Sequence, residues 1–170
     1  MSLLSVHECN NYKVLSEAYR AQGHIAINSG NYRSDHMFDL LPSWYRFQGA
    51  AGDRMADECV PMDHCGTKYP GWLSGTHPTV AEGVVIRRVC FSMYQCCDEY
   101  QNITVKNGGA YFVYALPRPS YHSYRYCGNG SGGKFLMVLL IISVKSQNIK
   151  LWLGYNLFRQ HVFTDWNRQN

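Results

Sequence analysis

Residues 44–90 read WYRFQGAAGDRMADECVPMDHCGTKYPGWLSGTHPTVAEGVVIRRVC, and this run decides the fold. It holds Cys59, Cys65 and Cys90, and it is punctuated by Gly49, Gly52, Gly66, Gly71, Gly75 and Gly83. A chain that must turn every few residues cannot be held by backbone regularity alone. Cysteines spaced through such a loop-rich segment point to covalent rigidity, a disulfide framework.

Strand chemistry surrounds these turns. Trp44-Tyr45-Arg46-Phe47, bounded by Pro42 and Gly49, reads as a strand that puts Tyr45 and Phe47 on one face. Val84 to Phe91 is the most β-branched run and reads as a central strand, its bulk implying burial on at least part of both faces. Residues 102–106 and 110–116 flank Asn107-Gly108-Gly109, whose glycines tolerate positive φ, so they predict a hairpin. Pro117 and Pro119 end its second strand, since neither can donate to a ladder. Tyr69 to Thr79, with two prolines and two glycines, reads as irregular, with Trp72 sealing the core. Tyr12, Leu15 and Tyr19 fall at helix-like spacing, which predicts a short helical turn. Residues 21–39 have no period and read as a long surface loop. The fold class expected is mainly β: a small, disulfide-bonded, loop-rich antiparallel domain with at most short helices, the alternative being α+β.

At 170 residues and 46% hydrophobic content, the chain is expected to build one modest core. Its net charge of +4 comes from 16 basic residues scattered in ones and twos. Nucleic-acid binding would need a clustered basic stripe, so that class is set aside. The 13 tyrosines and 4 tryptophans are the large residues of the core and the candidates for a contact surface.

The seven cysteines, Cys9, Cys59, Cys65, Cys90, Cys96, Cys97 and Cys127, are all disulfide candidates. Their separations of 50, 6, 25, 6, 1 and 30 residues lack the repeated close pairs of a zinc finger or ribbon. An oxidised, extracellular protein fits better, with no cofactor and no metal. Two other readings have candidate residues. A thiol or serine hydrolase would use Cys65 or a serine with His64 or His77, but a bridged Cys65 has no thiolate to offer, and the sequence has no G-x-S-x-G, P-loop or H-E-x-x-H motif. A metal site would draw on His7, Cys9, His64 and Cys65.

The start, MSLLSVHE, is too short in its apolar stretch and lacks the basic residues of a secretory leader, so a leader is expected upstream. After Cys127 the composition changes. Gly128-Asn129-Gly130-Ser131-Gly132-Gly133 is linker-like. FLMVLLIISV, residues 135–144, is too short for a spanning helix, which needs roughly 20 apolar residues. Membrane association is therefore expected only through segments outside this chain.

Taken together, WYRF, GAAGDRMADECV, CGTKYPGWLSGTHPTVAEGVV, the Cys96-Cys97 pair, ITVKN and YRYC make the chain from about Cys9 to Cys127 resemble a known module. It is the cysteine-rich extracellular domain shared by uromodulin, the zymogen-granule membrane glycoprotein and a liver-specific relative. The resemblance implies a β-rich module of secreted or surface glycoproteins, without enzymatic activity, whose partners are extracellular proteins or glycans. It places the module at residues 8–128 and leaves 129–170 as a linker and a non-family extension.

Departures from the family pattern carry information of their own. Three family cysteines are replaced, by Ser34, Gly108 and His122. Parity then leaves at least one cysteine without an intramolecular mate, free to link two chains. The family motif WLNGTHP carries an acceptor asparagine where this chain has Ser74, so that glycan is not carried over. Two acceptor triplets remain, Asn102-Ile103-Thr104 inside a strand and Asn129-Gly130-Ser131 in the linker-like run, with access favouring Asn129.

Overall fold

The computed structural model describes residues 7–26, 32–36 and 40–132. The apolar run at 135–144 lies outside them. After a single α-helical turn, α1 (His7–Asn10), the chain forms β1 (Lys13–Leu15), β2 (Ser43–Phe47), β3 (Tyr69–Ser74), β4 (Val84–Phe91), β5 (Glu99–Asn107), β6 (Phe112–Leu116) and β7 (Tyr124–Tyr126). All seven join one sheet in the order β1-β2-β6-β5-β4-β3-β7. The mainly β expectation holds, and the helices are short. Pairing is antiparallel from β2 to β3, whereas β1 on β2 and β7 on β3 are parallel. A parallel neighbour must arrive by a long connection, so each edge strand comes from a distant part of the sequence.

Alternation along the strands sets the core. Tyr45 and Phe47 turn inward from β2, as expected, and meet Ile103 and Val105 of β5, Tyr114 and Leu116 of β6, and Val89 and Phe91 of β4. The hairpin at 107–109 forms between β5 and β6, closed by Gly108 N donating to Tyr111 O at 2.8 Å, and β6 stops at Leu116 before the prolines. Phe47 meets Tyr114 edge-on at 5.6 Å, and Phe91 stacks on Tyr124 at 4.4 Å. Such ring pairs add about 0.5–1.5 kcal/mol each beyond the area they bury.

β4 is buried on both faces from Val89 to Phe91, as its bulk implied, while Ile86 in its first half is 68% exposed. Three expectations are corrected. Tyr69 to Ser74 is a strand, because Pro70 sits at its entry and the ladder to β4 starts only at Gly71. Leu15 lies in parallel strand β1 rather than on a helix; only Ala18–Arg20 winds, as a 3₁₀ turn. The expected surface loop at 21–39 contains Ala21 and Asp35, both fully buried.

Residues 128–132 are likewise fastened to the domain. Gly128 N donates to Arg20 O at 3.0 Å, Gln22 N to Gly128 O at 2.8 Å, and Gly130 N to Ala51 O at 3.0 Å. A Cβ on Gly128 would collide with Ala51 O, so the glycine is there for close backbone approach.

Candidate functional site

The thiol chemistry resolves first. Cys59 bridges Cys96, Cys65 bridges Cys127 and Cys90 bridges Cys97, with Cα separations of 5.5, 5.7 and 4.8 Å. The adjacent Cys96 and Cys97 point to different partners, one in the loop after Ala56 and one on β4. Cys65 and Cys127 pack with Ala56, Val60 and Trp72 in a small satellite core, and the Trp72 indole donates to Cys96 O at 2.9 Å. Bridges of this kind contribute about 2–4 kcal/mol each, which suits a chain with so little regular structure there.

Cys9 is the unpaired cysteine, half-buried beside the β5–β6 hairpin. A Cβ on Gly108 would stand 3.1 Å from its sulfur, so position 108 faces Cys9. The segments that carry Ser34 and His122 are also neighbours. Asp35 N donates to Tyr124 O at 2.9 Å, and the rings of His36 and His122 meet at 4.3 Å, bringing the segments of Ser34 and His122 together.

No nucleophile and base are assembled from the candidate residues. Cys65 is held in its bridge, and His64 turns its Nδ1 to Gln22 O at 2.6 Å. His77 lies between Asp57, 3.2 Å from its Nδ1, and the Tyr114 hydroxyl, 2.8 Å from its Nε2. Tyr114 also accepts from Met55 N at 3.0 Å. Burial pushes its phenol far above the ordinary range, so the chain of hydrogen bonds ends in a group that stays neutral. The His77 imidazole is held below its ordinary value, chiefly by burial and against the opposing pull of Asp57. This is a structural tie between β6 and the loops, not a relay. The His7, Cys9, His64, Cys65 set does not form either, since Cys65 is bridged, and no three His, Cys, Asp or Glu side chains converge among the described residues.

A charged centre that the sequence hides lies under β7. Arg20 donates to both oxygens of Asp35, at 2.7 and 2.9 Å, and to Tyr126 O at 3.1 Å. Asp35 in turn accepts from Tyr126 N at 2.9 Å, and Arg125 Nε stands 3.7 Å from it. All three side chains are buried. Burial penalises the Arg20 charge, but Asp35 more than compensates and raises its pKa; burial and repulsion from Arg20 lower that of Arg125. Arg125 reaches on to Tyr19, its guanidinium 4.6 Å from the ring, and Arg33 lies over the same ring at 4.3 Å.

A second aromatic and cationic group starts from Tyr124, the neighbour of Arg125 on β7 whose side chain turns to the other face. Lys68 sits over Tyr69 at 5.3 Å; Tyr69 meets Tyr124 at 5.7 Å, and Tyr124 meets the exposed Tyr121 at 5.5 Å. Tyr32 donates to Asp63 beside them. The rim is held by the buried ion group and by the Cys65–Cys127 bridge just behind it.

On the sheet's outer face a second feature appears. Trp44, Ala115, Thr104 and Ile86 form one cross-strand row, and Asn102, Arg88 and Ser74 form the next. A groove of about 360 Å³ opens there, lined among others by Pro42, Trp44, Asn102, Thr104, Ala115 and Pro117.

Residues 45–128 match the model of the domain family described as "Uromodulin-like". The chain is 38% identical to Uromodulin of Mus musculus over 126 residues, 72% of this chain and 18% of that protein. It is 38% identical to Pancreatic secretory granule membrane major glycoprotein GP2 of Canis lupus familiaris over 129 residues, 75% of this chain and 24% of that protein. The chain thus spans about a quarter or less of the curated relatives it matches. Its three bridges are the chemistry of an oxidising, extracellular compartment. By its matched segment and by its bridged β-sheet, the chain belongs to the uromodulin-like domain family.

Proposed function

We propose that the module is a non-catalytic recognition unit of a secreted or surface glycoprotein, engaging an extracellular protein or glycan through the rim of Tyr19, Arg33, Lys68, Tyr69 and Tyr121. The observation that carries this is the rim itself. Cations already lie over rings at 4.3 Å for Arg33 and 5.3 Å for Lys68, held by a buried ion group and a disulfide. Tyrosine and arginine dominate binding hot spots because they present large, partly apolar area with polar ends. Holding them rigid before contact removes ordering entropy from the cost of binding. The alternative hydrolase lacks its thiolate, because Cys65 is bridged to Cys127.

The test is an array carrying both mammalian glycans and extracellular ectodomains, probed with the oxidised protein and with Tyr121→Ala and Lys68→Ala variants. Ligands retained by the parent should be lost by about tenfold or more in these variants, a loss on the scale of a hot-spot residue. Binding that is indifferent to both changes would remove the rim from the reading.

A further inference from the structure

From the outer face of the sheet we infer that Asn102 is an N-glycosylation site, and that its first sugar seats in the groove beside Trp44. This goes beyond the recognition reading and does not depend on it. The triplet Asn102-Ile103-Thr104 lies on β5, where side chains alternate. Ile103 is buried in the core, so Asn102 and Thr104 both stand on the outer face. Asn102 is exposed, and its carboxamide makes no hydrogen bond to the described residues.

The other triplet is placed quite differently. Asn129 accepts at Oδ1 from Asp53 N at 3.0 Å and Arg54 N at 3.3 Å, and its Nδ2 donates to Asp53 Oδ1 at 2.8 Å. Its main-chain N donates to Arg54 O at 2.9 Å, and a Cβ on the facing Gly52 would collide with its Oδ1. A sugar on Nδ2 would take one of its two hydrogens and compete with the bond to Asp53, on a side chain that the fold pins from both ends of its carboxamide. The fold therefore tolerates a glycan at Asn102 and opposes one at Asn129, the reverse of the access argument from sequence.

A sugar at Asn102 would also cover exposed apolar surface. Val84, Ile86 and Tyr100 are 48%, 68% and 60% exposed on the strands that carry and flank Asn102. Ile86 is the cross-strand partner of Thr104, and Arg88, the partner of Asn102, lies over the Tyr100 ring at 4.4 Å. An apolar sheet face of this kind is ordinarily occupied. The groove lined by Trp44, Ala115 and Pro117 starts at Asn102 itself. The apolar face of a pyranose ring packs against an indole, while its hydroxyls and the rest of the oligosaccharide keep the surface hydrated.

The modifying step is a group transfer. Nδ2 of Asn102 attacks C1 of the first N-acetylglucosamine of a polyprenyl-diphosphate-linked oligosaccharide. A C–N bond forms, the C–O bond to the diphosphate breaks, the polyprenyl diphosphate leaves with the electron pair, and Nδ2 gives up one proton. The hydroxyl of Thr104 completes the acceptor motif read by the transferase.

The experiment expresses the full chain behind a secretion leader in a mammalian host and maps its glycopeptides by mass. The expected result is sugar on the Asn102 peptide and none on the Asn129 peptide. N102Q and T104A should lose it, and T104S should keep it. An unmodified Asn102 peptide, or an occupied Asn129, in protein with three bridges formed would overturn the assignment. Seating is read with an apolar dye. Trimming to a single N-acetylglucosamine should leave dye fluorescence low, whereas removing the whole oligosaccharide from native protein should raise it about two-fold or more. Equal fluorescence after the two treatments would overturn the seat, and because it uses native protein, this arm does not rest on the folding of any variant.

Discussion

The sulfur of Cys9 lies 3.1 Å from the point where a Cβ on Gly108 would stand. Within a disulfide, one Cβ and the opposite sulfur are separated by about 3 Å. Gly108 does not occupy the left-handed region, which falls instead to Gly109 at φ 91°, so a side chain at 108 carries no backbone strain. Gly108→Cys should therefore close a fourth bridge, lower the free thiol count from one to none and raise stability by about 2–4 kcal/mol. Two titratable thiols with an unchanged melting temperature would contradict it.

Asp35 is the second test. Replacing it by Asn leaves Arg20 and Arg125 buried without a counter-charge, which should cost about 3–5 kcal/mol in a urea titration. Glu17 also reaches Arg20, at 3.4 Å, but from a side chain that is 38% exposed. Glu17→Ala should cost less than about 1 kcal/mol. Equal losses would show that burial does not govern this group.

His77 makes stability depend on pH. Burial holds its folded-state pKa below the ordinary 6.5, and Asp57 only partly opposes this. The unfolded chain then binds more protons between the folded value and 6.5, so stability rises with pH through that window and is lost as pH falls from 6.5. Urea titrations from neutral pH downward should show the parent losing stability relative to His77→Gln once pH passes below 6.5. A constant difference between the two proteins would contradict the assignment.

Gly71 tests the packing of β3 on β4. A Cβ there would meet Phe91 Cε1 at 2.5 Å and Arg125 O at 3.2 Å. Phe91 is already stacked on Tyr124, so the ring has little room to give. Gly71→Ala should cost about 1–3 kcal/mol in urea denaturation, and an unchanged midpoint would show that the ring yields freely.

What could be read from sequence followed from how local the physics is. Tyr45 and Phe47 alternate, Asn107-Gly108-Gly109 turns, and Pro117 stops a ladder, so β2 and the hairpin were legible. Tyr69 to Ser74 was not, because its strand character comes from pairing with β4 and β7, which outweighs the proline and glycine in it. Leu15 sat at helix-like spacing, yet three residues paired to β2 settle its conformation. Asp35 looked like loop solvent exposure because its partners, Arg20 and Tyr126, are 15 and 91 residues away. The rim is illegible for the same reason: Tyr19 meets Arg125, and Tyr69 meets Tyr124, only when β7 docks beside β3. For Asn129, Gly-rich composition suggested freedom, while those glycines serve close contact with Ala50 and Ala51.

The central claim is an oxidised module in which every cysteine but one is bridged. Peptide mapping of unreduced, alkylated protein tests it most directly. The account predicts Cys59 joined to Cys96, Cys65 to Cys127 and Cys90 to Cys97, with label on Cys9 alone. Label on Cys65 in folded protein, with its partner Cys127 also free, would contradict it.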